Sequence, residues 1–130
     1  MQDGKYVILC VDDDEDLLLC LQTVLEANGY LVATAKTGEE GLRRYKAVQP
    51  DLIILDLMME EVDTGTSFVK ELRALGNTAP IYMLSSVGDN LTMTTDYAAL
   101  GLAGVLQKPI DNDQLLAILA ARLKPTAAQR

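Results

Sequence analysis

The sequence has no histidine. That removes imidazole metal sites and the Ser-His and Cys-His pairs of nucleophilic hydrolases. Cysteine is almost as scarce. Cys10 and Cys20 are the only two, and their separation matches neither a metal nor a redox motif. They are expected to be reduced, buried thiols of a cytoplasmic protein. Basic residues are few: 11 Lys and Arg stand against 19 Asp and Glu, a formal net charge of −8. A surface of that sign does not neutralise phosphates, so direct nucleic-acid binding is not expected. No apolar run approaches the ~20 residues of a membrane-spanning helix. The opening Met1-Gln2-Asp3-Gly4-Lys5 lacks the basic and apolar segments of a secretion signal. No membrane contact is expected.

What is present is enough for one core. The chain has 130 residues, 49% of them hydrophobic, the usual scale of a single domain. Short apolar runs alternate with amphipathic stretches. Tyr6–Val11, Leu31–Ala35, Leu52–Leu55, Pro80–Leu84 and Gly104–Gln107 read as strands. The third is apolar on both faces, as in a buried parallel sheet. Helices are expected between them. The first carries Leu17, Leu18, Leu21, Val24 and Leu25 and stops at Asn28-Gly29. The second is capped by Thr37 and Glu40 and buries Leu42, Tyr45 and Val48. The third runs from Ser67 to about Leu75, and the fourth lies within Asp89–Leu100. The fifth is capped by Asp111 with Gln114 and ends at Pro125. Five such repeats give an α/β fold, a doubly wound (βα)5 three-layer sandwich. Its parallel sheet is expected in the order 2-1-3-4-5. Residues 5–124 are the expected domain, 125–130 a frayed tail, with no output domain in the chain.

Parallel strands deliver their last residues to one edge, where open α/β sheets bind ligands. That edge should gather Asp12 and Asp13 from strand one, Asp56 from strand three, Ser85 from strand four and Lys108 from strand five. Three carboxylates so close repel one another, and a cation relieves the repulsion. Hard oxygen ligands with open positions suit Mg²⁺. With Lys108 as a second positive charge and Ser85 as a hydroxyl donor, the set suits placing a phosphoryl group on the Asp56 carboxylate. Each residue alone has a plainer reading. Asp12-Asp13 complements a helix dipole, Asp56 is an N-cap, Ser85 is a turn hydroxyl, and Lys108 is a surface charge. The specificity lies in the four meeting in order.

Together, the acidic pair Asp12-Asp13, the acceptor position Asp56 in Asp-Leu-Met-Met, the hydroxyl Ser85 and the pair Lys108-Pro109 resemble the receiver domain of two-component response regulators. The resemblance implies Mg²⁺ held by Asp13, Asp56 and the Met58 backbone carbonyl, with Asp12 acting through water. It implies a phosphodonor of the histidine kinase or histidine phosphotransfer class. It also implies a regulatory role rather than an enzymatic one, the domain assisting its own phosphorylation and dephosphorylation. The switched surface would be the fourth helix, fifth strand and fifth helix, read by a downstream protein or by a second copy.

Four positions depart from the family pattern. Glu60 stands where proline is usual, and Val62-Asp63-Thr64-Gly65 carries one extra residue. Ser85 replaces the commoner threonine. Val105 occupies the place of a switching aromatic and has no comparable rotamer swing. Met58 and Val87, which would flank the water attacking the acyl phosphate, are apolar, so slow self-dephosphorylation is expected. Three other functions compete. One is a receiver-like interaction module that takes no phosphate. Another is a small phosphohydrolase of the haloacid dehalogenase type, using Asp12 and Asp14. The last is a flavin or nucleotide binder, which the acidic loop after strand one disfavours.

Overall fold

In the computed structural model, residues 4–56, 71–85, 103–107 and 110–123 are described. The strands are β1 (Val7–Val11), β2 (Leu31–Ala35), β3 (Leu52–Asp56), β4 (Ile81–Ser85) and β5 (Gly104–Gln107). They form one parallel sheet in the order β2-β1-β3-β4-β5, as expected. The helices are α1 (Glu15–Ala27), α2 (Gly38–Val48) and α3 (Asn112–Arg122), the last being the fifth helix of the sequence pattern. Residues 71–74 are also helical. The expected fourth helix, the loop Glu60–Gly65 and Pro125 lie outside the described residues.

Strand alternation divides the core in two. Ile8, Cys10, Leu52, Ile54, Leu84 and Leu106 face α1 and α3, meeting Leu18, Leu21, Leu25, Leu115 and Leu119. Leu9, Val11, Ile53, Leu55, Ile81 and Met83 face the other way, toward Leu72, Leu42 and Tyr45. Both faces of β1 and β3 are therefore covered, which explains runs with no polar alternation. β2 is an edge strand, and all but Ala35 are only partly buried.

Local chemistry sets the helix ends. Asp14 caps α1, its Oδ1 accepting the N–H groups of Asp16 (3.0 Å) and Leu17 (3.2 Å). Gly29 closes the same helix with φ +91°, where an L side chain is strained. The Tyr30 N–H then returns to the Leu25 carbonyl at 3.0 Å, as in a Schellman ending. Thr37 caps α2 through the Glu40 N–H at 3.0 Å. The Glu40 carboxylate reaches back one residue further than in the usual capping box and accepts from Lys36 N–H at 2.7 Å. Asp111 caps α3 through the N–H groups of Asp113 and Gln114.

Two expectations need correction. Cys20 is exposed, not buried. α1 turns Leu18, Leu21 and Leu25 to the sheet, and a residue two after Leu18 falls on the far side of the helix. Leu42, Tyr45 and Val48 of α2 are only partly buried, and Gly41 is the buried residue of that helix. On α1, Leu17 and Val24 are likewise only partly buried.

Two long-range ties were not readable from the pattern. The Asp51 carboxylate accepts the Val7 N–H at 2.8 Å, joining the starts of β3 and β1. Tyr82 on β4 lies beside Gly104 on β5, and its hydroxyl accepts from Arg122 Nε of α3 at 2.8 Å. The guanidinium also sits 5.8 Å from the Tyr82 ring centroid, within cation–π range. A β-carbon at Gly104 would stand 2.8 Å from Tyr82 Cε2. The ring thus fills the space that a side chain at Gly104 would take.

Two measurements test this packing. Gly104→Ala should lower unfolding stability by about 1–3 kcal/mol in urea melts, the usual cost of overpacking. The loss should shrink in a Tyr82→Leu background, and an equal loss in both would show that the ring is not the obstacle. Thiol labelling tests the cysteines. Burial, with Asp12 nearby, pushes the Cys10 thiol up to about 12, so Cys10 stays protonated and inert in the native fold. At pH 8 a thiol reagent should modify Cys20 alone in the folded protein and both residues in denaturant.

Candidate metal and phosphoacceptor site

β1 and β3 run side by side with Val11 level with Leu55. The next residue of each, Asp12 and Asp56, therefore falls at the same height at the carboxyl end of the sheet. By strand parity both lie on the side of Cys10 and Ile54. They are 1% and 2% exposed and are the buried charged residues among those described. Asp13 stands beside them and is exposed. A carboxylate oxygen from each of the three lies within 4.8 Å of the others.

The acidic run divides its work. The Asp12 N–H donates to the Ala35 carbonyl at 3.0 Å, prolonging the β1–β2 ladder by one residue. Asp12 Oδ1 accepts the Asp14 N–H at 2.8 Å, which turns the chain into α1. Asp14 itself is the exposed cap. A carboxylate engaged with two backbone N–H groups is not placed as the acid of a haloacid dehalogenase pair. Glu15 and Asp16 occupy the first turn, where negative charge meets the positive end of the helix dipole. Glu15 also binds the Lys36 ammonium, which arrives from the residue after β2. That hydrogen bond is the main cause holding the Lys36 ammonium above its ordinary pKa range. Sequence reasoning missed the Glu15–Lys36 pair because it joins residues 21 apart in sequence.

The donor set fits a small divalent cation. It offers only carboxylate oxygens, two of them shielded from water and the third at the solvent boundary. That leaves room for the waters Mg²⁺ retains. A cleft of about 570 Å³ lies elsewhere, at the amino end of the strands, lined by Tyr45, Lys46, Gln49, Asn77 and Arg122 among others. It is remote from the three acids, and the chemistry of the donors outweighs the size of that opening.

Of the other expected site residues, Ser85 is the last residue of β4, level with Gln107 of β5. This is one step beyond Asp56, which is level with Leu84. Lys108, the next residue after Gln107, lies outside the described residues, as do Met58, Val87, Pro109 and the Ser85 side chain. Val105 is partly buried against the core on the α2 side.

Comparison with known proteins agrees with this geometry. A family model described as the response regulator receiver domain matches residues 8–120. The transcriptional regulatory protein PrrA of Mycobacterium tuberculosis is 37% identical over 123 residues, covering 95% of this chain and 50% of PrrA. The alkaline phosphatase synthesis transcriptional regulatory protein PhoP of Bacillus subtilis is 36% identical over 117 residues, covering 90% of this chain and 48% of PhoP. The chain thus spans about half the length of the curated relatives it matches. The chemotaxis response regulator CheY4 of Vibrio cholerae superposes with a TM-score of 0.78 at 32% identity, covering 91% of this chain and 98% of CheY4. With a domain-length family match, relatives above one-third identity and a shared sheet order, the chain belongs to the response regulator receiver domain family of two-component signalling.

Proposed function

We propose that Asp56 is the phosphoacceptor of a Mg²⁺-dependent receiver switch. The observation that carries this reading is the meeting of buried Asp12 and Asp56 with exposed Asp13 at one sheet edge. An isolated buried carboxylate is costly, and two at one point are more so unless a cation or a transferred group uses their charge. Asp13 and Asp56 would hold the metal directly, with the Met58 carbonyl, and Asp12 through water. The metal would supply charge neutralisation at the phosphoryl oxygens.

The remaining steps belong to side chains. An Asp56 oxygen attacks the phosphorus of a phosphohistidine on a histidine kinase or phosphotransfer protein. The O–P bond forms as the P–N bond breaks. The imidazole leaves with the bonding pair and takes a proton from water. Lys108 and Ser85 would bind the equatorial oxygens of the product, drawing the ends of β5 and β4 toward Asp56. That movement would alter the face built from β5, α3 and the segment between β4 and β5, which a downstream protein or a second copy reads. In this reading the domain is a regulatory phosphoacceptor that occupies residues 5–124 and acts in the cytoplasm, without membrane or direct nucleic-acid contact. The compact acidic cluster favours it over an interaction module that takes no phosphate.

Two variants test the assignment. With Mg²⁺ and acetyl phosphate, intact-mass analysis should show one phosphoryl group on the wild type and none on Asp56→Asn. An equal yield on the variant would refute the acceptor assignment. Asp13→Ala should weaken Mg²⁺ binding by roughly tenfold or more, since it removes a direct carboxylate ligand. The same variant should be more stable than wild type in EDTA melts, because fewer acids then crowd the edge. A less stable variant in EDTA would contradict the repulsion argument.

A further inference from the structure

A phosphoryl donor is itself an anion, and it must reach Asp56 across an acidic rim. Asp13, Asp14, Glu15 and Asp16 follow β1, and Glu39 and Asp111 open the neighbouring helices. Among the described residues, Lys36 is the only Lys or Arg in the loops at that edge. The others lie on Lys5, within α2, at 71–74 or at the end of α3. Register puts Lys36 next to the acids. Ala35 pairs with Val11 and its carbonyl takes the Asp12 N–H, so Lys36 begins beside Asp12. Its backbone is fixed by the Glu40 carboxylate at 2.7 Å and its ammonium rests on Glu15. Lys36 and Glu15 stay 54% and 66% exposed. An exposed pair is held weakly, so the ammonium can exchange Glu15 for an incoming anion at little cost.

We propose that Lys36 is a donor-positioning residue: it is the rim cation that a phosphoryl donor meets on its way to Asp56, and Glu15 is the carboxylate that parks it between encounters. This deepens the reading of Asp56 as phosphoacceptor and rests on it. The pair acts on the two charged ligands of the site with opposite sign. Removing the Lys36 charge leaves the rim more negative, which favours a metal cation and opposes an anionic donor. Removing the Glu15 charge does the reverse. A purely structural role for the pair would move both ligands the same way.

The test uses the full chain, Mg²⁺ at saturating concentration and acetyl phosphate as donor, with the phosphorylated fraction followed by intact mass. Lys36→Gln should lower the initial slope of rate against donor concentration by about threefold to tenfold at low ionic strength, with little change in the saturating rate. Lys36→Arg should restore the slope, and Glu15→Gln should raise it. The differences should fade near 1 M salt, where screening acts within ~3 Å. Mg²⁺ titration by calorimetry should show tighter binding for Lys36→Gln and weaker binding for Glu15→Gln. A wild type that takes no phosphate would overturn the acceptor reading itself. A phosphorylated wild type with Lys36→Gln equally fast at low salt would overturn the role of Lys36 alone. Slowing by both Lys36→Gln and Glu15→Gln would reduce the pair to a structural clamp.

Discussion

Two carboxylates buried at one height, on adjacent strands of an otherwise apolar sheet, are the constraint to which the rest of the molecule answers. Asp12 and Asp56 sit where β1 and β3 run out of apolar sequence. The sheet must bring them together, since both strands are central, parallel and in fixed register. A one-residue slip between β1 and β3 would turn one carboxylate to the opposite face and exchange the side chains that strand gives to the two core clusters. The hydrophobic core therefore sets the register, and the register sets the site. The two covered sheet faces hold in place the strands that carry the mutually repelling acids.

The same division explains why the fold was legible in the sequence and several contacts were not. Apolar runs of four to six residues, broken by acids, glycines and prolines, define the strands. Right-handed crossovers leave few orders for five parallel strands, and the order found is the expected one. Asp12, Asp13 and Asp56 were legible for a related reason: each follows a strand, and strand ends share an edge. Cys20 was misplaced because composition says that cysteine tends to be buried, whereas position on α1 decides which cysteine is. α2 was read as more deeply buried than it is, since it packs against the β2 edge, where less sheet remains to cover Leu42, Tyr45 and Val48.

The contacts missed altogether share one property: each joins residues far apart along the chain through atoms that periodicity does not describe. Asp51 to Val7 spans 44 residues, Arg122 to Tyr82 spans 40 and Lys36 to Glu15 spans 21. Gly104 illustrates the point. In sequence it is a glycine opening a strand, which reads as a turn. In the fold it is the floor under the Tyr82 ring, and that ring lets α3 be tied by its last turn to β4. The tie lies on the α1 and α3 side of the sheet, opposite the face on which Val105 packs. The aromatic of this region therefore serves to anchor α3, while the position where the family carries a rotating aromatic holds a small side chain within the other core cluster.

The acidic run from Asp12 to Asp16 shows how little a charge pattern alone decides. Five consecutive acids are, in sequence, one feature with one explanation, complementing a helix dipole. In the structure, backbone direction separates them. Asp12 still belongs to the strand, extends its ladder and is buried. Asp13 lies at the turn, exposed, with an oxygen near those of Asp12 and Asp56. Asp14 points its carboxylate at the first free N–H groups of α1. Glu15 is one residue into the helix and leans across to β2 for Lys36. Asp16 is left to the dipole. The strand-to-helix transition rotates each successive side chain to a different neighbour, so one run of like charge supplies a buried carboxylate, a surface carboxylate, a cap and a counter-ion. Charge balance at the rim then follows from which acids the backbone has already engaged. Asp14 is spent on the helix and Glu15 on Lys36, so the negative charge left facing the site is chiefly that of Asp12, Asp13 and Asp56.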